Sequence, residues 1–336
     1  MFGKNVVKYA DVLVAAHAAR DADRFHEALQ GLAKTTPRSA PEQVGAALTR
    51  IAPVLASIPF GIGSSLAQLA GGMAGESGEI EAILPVLTTR AIEVLAAAEQ
   101  FRQLVGDDDQ LPDPEDEAAI GPVLASLPPE HRLAGEAWFT ANDWVQPVLF
   151  LSQRHDVRAA LPQRAELTAA VAAAAEYFDA AQWLHGLLQV LDDETLLVVA
   201  RASGRAFRVT IAGIGDNFQL HTLLAAALPA EVLPGSAPSP AEVAAASTGG
   251  MDVPGGISGN FNLADADGAW IWNEGRPADI PHLDGVRVAV VDPAPYTRSW
   301  NVGRAYPLMI PSVQVTAELP AAEAAALLAR IKPAAG

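Results

Sequence analysis

The sequence predicts an α+β protein: a large alanine-rich helical region over residues 1–191, then a smaller, mainly antiparallel sheet region with a few helices over 192–336. The first observation behind this is a change of period near Asp192-Asp193. Upstream, apolar residues return at the spacing of a helix face; downstream, short β-branched and aromatic runs are cut by Gly, Pro and Asp-Gly. The second is that hairpin signals dominate the downstream part, and only the segment after Ile214 offers a crossover.

Tyr9 to Leu32 reads as one helix, because Val12, Ala16, Ala19, Phe25, Leu29 and Leu32 return to one side. Pro37 closes it, and Pro41 suits the first turn of the next. Ile51 to Gly75 carries no charged residue and is long enough to span a bilayer. Its prolines, serines and glycines oppose transfer into lipid, so the expectation is a buried helical hairpin turning at Pro59–Gly63. Gly71 and Gly75 have the spacing of closely packed helices. Ser77 is placed to cap a helix over Gly78–Leu104, bent or restarted at Pro85. The acidic, proline-broken Asp107–Glu117 reads as a solvated connector. Helices are expected at Pro129–Ala141, Asp143–His155 and Pro162–Leu191.

Beyond the break, Leu196–Arg201 and Phe207–Ile211 flank Ser203-Gly204 as a hairpin. Asp216 is placed to cap a helix over Phe218–Leu228, and a short helix fits Pro240–Ala246. A second hairpin is expected from Phe261–Leu263 and Ala269–Trp272 around Asp267-Gly268. Strands at Val286–Val291 and Ser312–Ala317 and a helix over Pro320–Ile331 complete the region.

Composition narrows the function classes. Charged residues are 18% of the chain, below the usual quarter, so much surface must be buried within the fold or in an oligomer, here expected as a homodimer. The alanine-rich, arginine-over-lysine bias fits a GC-rich bacterial genome and carries no mechanism. Asp and Glu outnumber Lys and Arg by 39 to 22, a formal charge of −17. Phosphate backbones and anionic membrane surfaces are thereby poor partners, since affinity for them comes from cationic side chains. The absence of cysteine removes disulfides, thiolate metal sites and cysteine nucleophiles. The apolar stretch near the N-terminus is interrupted by Tyr9, Asp11 and His17, so a secretory signal is not expected and the cytoplasm is the default compartment.

Four segments approach known motifs and stop short. Gly61-Ile62-Gly63 and Gly213-Ile214-Gly215 lack the continuation of a phosphate loop or dinucleotide fingerprint. Asp216 beside the second would repel an anion, so a tight β-to-α turn accounts for it better. In Gly255-Gly256-Ile257-Ser258-Gly259 the serine stands one place late for a nucleophile elbow. Asp265, Asp267, Gly268 and Glu274 match four positions of a calcium loop, but Leu263 occupies the first and the flanks read as strands. No cofactor and no metal are therefore expected.

Two loops that follow strands remain: Asn273 through His282, and Asp292 through Tyr306. Aromatic and arginine-rich loops on a rigid sheet are what binding surfaces use. Arg276, Arg298 and Arg304 can fork onto a carboxylate, while Tyr296 and Trp300 supply flat apolar walls. The first reading is thus a soluble binding or assembly protein that grips a peptide or small molecule. The alternative is an enzyme without a nucleotide cofactor: a hydrolase, cyclase or peptide-tailoring protein. In it His221 or His282 is the acid/base, Glu274 or Asp292 the partner carboxylate and Arg298 the anion holder. Against both stands the plainer account in which these arginines pair with Asp279, Asp284 and Asp292 and pin long loops.

Overall fold

The computed structural model of the 336-residue chain describes residues 5–250, 257–259, 261–294, 296, 299–300 and 303–334. The chain divides into two compact units, Met1–Leu188 and Gln189–Gly336. The first is helical and the second α+β.

The N-terminal unit holds α1 (Val6–Ala19), α2 (Ala22–Thr35), α3 (Pro41–Leu55), α4 (Phe60–Ser77), α5 (Leu84–Val105), α6 (Glu117–Ser126), α7 (Arg132–Leu151), α8 (His155–Ala159), α9 (Arg164–Ala174) and α10 (Asp179–Leu188). Several ends differ from the periodic reading, each for a local reason. The expected Tyr9–Leu32 helix is two helices. Arg20 turns left-handed (φ 57°) to close α1, and the Asp21 carboxylate caps α2 by accepting from the Arg24 N–H at 3.0 Å. Ser77 ends α4 instead of starting α5: its hydroxyl donates back to the Met73 carbonyl, and Gly78 (φ 81°) takes the left-handed closing position. Pro85 restarts the helix, in the first turn of α5. The two helices expected between Pro129 and His155 merge into α7, which carries Pro147 within it. The stretch expected as one helix from Pro162 is instead α9 and α10, interrupted at residues 175–178.

The uncharged Ile51–Gly75 segment forms the end of α3 and most of α4, reversing at residues 56–59. Among the described residues no helix is long and apolar enough to cross a membrane. The core of this unit forms where α7 packs on α4 and α5. Trp138 and Trp144 on α7 are fully buried. The Trp138 indole N–H donates to the Pro112 carbonyl at 2.9 Å and its ring meets Phe178 edge-on at 5.0 Å, so both its apolar body and its polar handle are satisfied.

In the C-terminal unit, β1 (Glu194–Ala200) and β2 (Arg205–Ala212) form the expected hairpin. They are followed by α11 (Asn217–Ala227), α12 (Pro240–Ala246), β3 (Ile257–Ser258), β4 (Asn262–Ala264), β5 (His282–Leu283), β6 (Val286–Asp292), β7 (Ser299–Trp300), β8 (Ser312–Glu318) and α13 (Ala321–Leu328). The six-stranded sheet has the order β4-β6-β1-β2-β8, with β5 sharing the β6 edge used by β4; β3 and β7 make a separate pair. Every pairing is antiparallel except β1 with β6.

That parallel pair explains why β1 reads as a continuous apolar run: central strands flanked this way are buried on both faces. Leu196, Val198, Phe207, Val209, Ala289 and Val291 belong to the core that includes α11 and α12 residues. Val199, Ala206, Val288 and Val290 belong to the opposite face, with Ala324 of α13. The turn between β5 and β6 is Asp284-Gly285, both with positive φ (52° and 80°), the backbone of a tight two-residue hairpin. Around Asp267-Gly268 the chain does reverse, but the second limb is one bridge long, Ala264 with Trp270, while β4 forms its ladder with β6 on its other edge. The Asp265 carboxylate accepts from the Asp267 and Ala269 N–H groups at 2.9 Å each, so it organises this turn.

Candidate functional site

The N-terminus of α11 is the anchor of the most concentrated aromatic surface in the C-terminal unit. Asp216 caps the helix, its carboxylate accepting from the Gln219 N–H at 2.8 Å. The next two backbone donors face the 272–275 loop: Asn217 N–H reaches the Gly275 carbonyl at 2.9 Å and Phe218 N–H the Asn273 carbonyl at 3.1 Å. The Asn217 side-chain amide adds a third bond, to the Trp272 carbonyl at 2.8 Å. Donors that a helix leaves without internal partners thus hold a loop in place.

Above this anchor lies a cleft of about 260 Å³ lined by Phe218, Trp270, Trp272, Tyr296 and Trp300, with Asn273 and Glu274 at its edge. Trp270 and Tyr296 stand 6.1 Å apart at 42°, and Phe218 and Trp300 5.4 Å apart at 49°. Trp272 is 72% exposed and Tyr296 56%, which leaves large ring faces to solvent. Clustered aromatic exposure of this kind is uncommon on a surface with no binding task. Among the described residues Glu274 has no hydrogen-bond or ion-pair partner and no cationic side chain lines the cleft.

Of the residues singled out from sequence, Tyr296, Trp300 and Glu274 come together here. Arg298 lies outside the described residues, as does Asn301. Arg304 is committed elsewhere: its guanidinium donates to the carbonyls of Ser247 and Gly249, both at 2.7 Å, and of Pro307 at 2.9 Å, tying down the end of α12. Arg276 donates to the Gln189 side-chain oxygen, and its backbone N–H to Asp279. Asp292 ends β6 almost fully buried, held by Arg201 at 2.7 Å. The expected pairing of the loop arginines with Asp279, Asp284 and Asp292 is found, among the described residues, only between the Arg276 backbone N–H and Asp279; Asp292 is answered by Arg201 and Asp284 by Arg330.

The two histidines occupy different settings. His221 is fully buried on α11, stacked on Phe261 at 4.0 Å and edge-on to Trp300 at 4.9 Å. Its Nε2 lies 3.1 Å from the Phe261 carbonyl, which can only accept, so Nε2 carries the proton. His282 is exposed on β5, 3.9 Å from Glu194. Among the described residues neither imidazole bonds to Glu274 or Asp292. Of the serine-elbow segment, Gly255 and Gly256 fall outside the described residues, while Ser258 lies on β3. Among the described residues no three His, Asp or Glu side chains gather as a metal site would need.

Sequence reasoning passed over Phe218, Trp270 and Trp272. A signal was present: Trp270 and Trp272 stand two apart in an extended segment, a spacing that points both to one side. Elsewhere, the N-terminal unit has a wider groove of about 730 Å³, lined by Phe25, Leu29, Ile58 and Ile62. Arg20 and Asp21 stand side by side on its rim, so it presents apolar area without one sign of charge.

Comparison with known proteins finds no matching family model, no similar curated protein and no similar solved structure. The site is therefore read from its own chemistry.

Burial pushes the Asp216 carboxyl above the usual range, against the lowering effect of the nearby backbone N–H groups, that of Gln219 first. Tyr306 is pushed up to about 12, chiefly by burial, with Arg276 opposing and Asp216 reinforcing the shift. For Asp216 the raised value means that the folded form resists ionisation. Its contribution to stability is fully present below the unfolded value near 3.8 and is lost as pH rises through the higher folded value. Asn caps helices as well as Asp does. Asp216→Asn should therefore match or exceed the wild-type melting temperature at pH 7, with the difference vanishing toward pH 3.8. A variant less stable at pH 7 would show that the helix dipole outweighs desolvation at this cap.

Proposed function

We propose that the C-terminal unit is a binding module that takes part of a peptide or small molecule into the aromatic cleft beside α11. The observation that carries this is the cleft itself: three of the six tryptophans line one depression of about 260 Å³, two of its rings are largely exposed, and its loop is pinned to a helix end. Ligand pockets for drug-sized molecules run from about 300 to 1,000 Å³. A cleft below that range suits one side chain or headgroup, with the rest of the ligand outside. Flat, rigid aromatic side chains lose little conformational freedom on contact, which favours their use as anchors.

The test is ¹⁹F NMR of the chain labelled with 5-fluorotryptophan, titrated with a library of small organic fragments and capped dipeptides. Six resonances are expected, assigned by single Trp→Phe variants. Binding in the cleft shifts those of Trp270, Trp272 and Trp300 together and leaves Trp138 and Trp144 in place. Failure of every fragment to move the first three, or movement of the buried pair alone, would remove this reading.

Mutation separates anchor from scaffold. Trp272→Ala should leave stability within about 0.5 kcal/mol, as for exposed positions generally, and weaken fragment binding about tenfold. Trp300→Ala removes packing on Phe218 and His221 and should cost about 2 kcal/mol in a urea melt. Equal stability losses in the two variants would place Trp272 in the scaffold as well.

A further inference from the structure

We infer that the aromatic cleft is selective for an organic cation, specifically a methylated or protonated ammonium headgroup. This rests on the binding-module reading above and adds the charge and chemistry of the ligand. Two independent features of the cleft point the same way.

The first is the nature of its walls. An aromatic ring presents a negative face, and a cation within about 6 Å of the ring centre is attracted by roughly 0.5–2 kcal/mol, more as water is displaced. Trp is the strongest such partner, and three line this cleft together with Tyr296 and Phe218. Trp272 and Tyr296 offer exposed faces, 72% and 56% accessible. Their rings belong to a cleft too small for a whole drug-sized ligand but suited to a compact headgroup.

The second is the charge at the edge. Glu274 lies in the pinned 272–275 loop, is exposed, and has no hydrogen-bond or ion-pair partner among the described residues. Most of the ion-paired carboxylates in this unit, such as Asp292, Glu318 and Asp284, are answered by arginine. Glu274 is left to face whatever enters. No cationic side chain lines the cleft among the described residues, and the chain carries −17 overall, so the long-range field also draws cations and repels anions. A carboxylate ligand, as an arginine fork would take, finds no described donor of that kind here: Arg276 and Arg304 are occupied by Gln189 and by backbone carbonyls.

Three probes of nearly identical shape and different charge decide the matter: choline, its neutral carbon isostere 3,3-dimethylbutan-1-ol, and the anion 3,3-dimethylbutanoate. Each is titrated into the full chain at 0.1 M salt, with binding read from the ¹⁹F resonances of Trp270, Trp272 and Trp300. Choline is expected to bind about tenfold more tightly than the alcohol, and the carboxylate least of all. Glu274→Gln should weaken choline about threefold to tenfold and leave the alcohol unchanged, whereas Trp272→Ala should weaken both. A capped trimethyl-lysine amide run alongside distinguishes a peptide side chain from a free headgroup as the source.

Equal affinity for choline and the alcohol, with Glu274→Gln silent, would overturn the cation inference while the cleft remains a binding site. Preference for the carboxylate would overturn it outright. No response to any of the probes up to 50-fold molar excess over a fragment that does bind would overturn it too. No response to any fragment or probe would remove both readings together.

Discussion

Trp144→Ala should lower the stability of the N-terminal unit by about 3–5 kcal/mol, the range for truncating a large buried aromatic. Trp144 is 0% exposed, and its surroundings make collapse of the resulting cavity difficult. Its indole N–H donates to the Phe60 carbonyl at 3.0 Å, its ring meets Phe60 edge-on at 5.9 Å, and the Arg90 guanidinium lies 4.9 Å from its centre. Arg90 in turn donates to the Ile58 carbonyl at 2.6 Å and to Glu93 at 2.8 Å. Removing the indole therefore empties a volume, takes from the Phe60 carbonyl its side-chain donor, and strips a nearly buried cation of one aromatic face. For a unit of this size the loss corresponds to a fall in melting temperature on the order of 10 °C. Trp144→Phe keeps most of the volume and should recover more than half of that loss. Calorimetry on both variants checks the ranking, and a fall below 2 kcal/mol for Trp144→Ala would mean that α4 and α7 repack freely.

Gly71 and Gly72 should respond in opposite directions to added side chains, though they are neighbours on one helix. A Cβ on Gly71 would stand 2.6 Å from the Pro147 Cβ and 3.1 Å from its Cα. The proline ring cannot rotate away, so α4 and α7 must separate. Gly71→Val is expected to cost about 3 kcal/mol, the upper range for overpacking a tight contact. A Cβ on Gly72 meets nothing within 4 Å. Gly72→Ala should then show the ordinary gain of alanine over glycine within a helix, about 1 kcal/mol. Urea melts that give the same sign for both would show that the close approach of α4 to α7 is not limiting.

The contrast bears on what a glycine spacing means. Gly71 and Gly75 have the spacing of closely packed membrane helices, a spacing shared by buried helices elsewhere, and the sequence favours a buried hairpin here. In this fold the spacing serves a helix–helix contact: Gly71 admits Pro147 and Gly75 admits the Phe150 ring, both on α7.

The cleft was half legible before folding. Tyr296, Trp300 and Glu274 stood out because they sit in polar loops after strands, where binding residues collect. The arginines stood out for the same reason; in the structure Arg304 bonds backbone carbonyls and Arg276 the Gln189 side chain. Residue type carries no record of how many backbone carbonyls will surround a guanidinium. Phe218, Trp270 and Trp272 read as ordinary helix and strand residues, since apolar side chains in regular segments are expected in a core.

Chain chemistry alone settles the change from helical to sheet-bearing structure and several local elements, because hydrophobic period, prolines at first helical turns and Asp-Gly turns are local properties. The β1–β2 hairpin, the Asp216 cap and the short helix at Pro240 all follow from residues within a few positions of one another. Tertiary structure alone decides that β1 lies parallel to β6, 91 residues further on from Leu196 to Arg287, and that Phe218 meets Trp300. Those contacts depend on which buried faces find each other. They are set by packing between distant segments, for which a single sequence carries no local period.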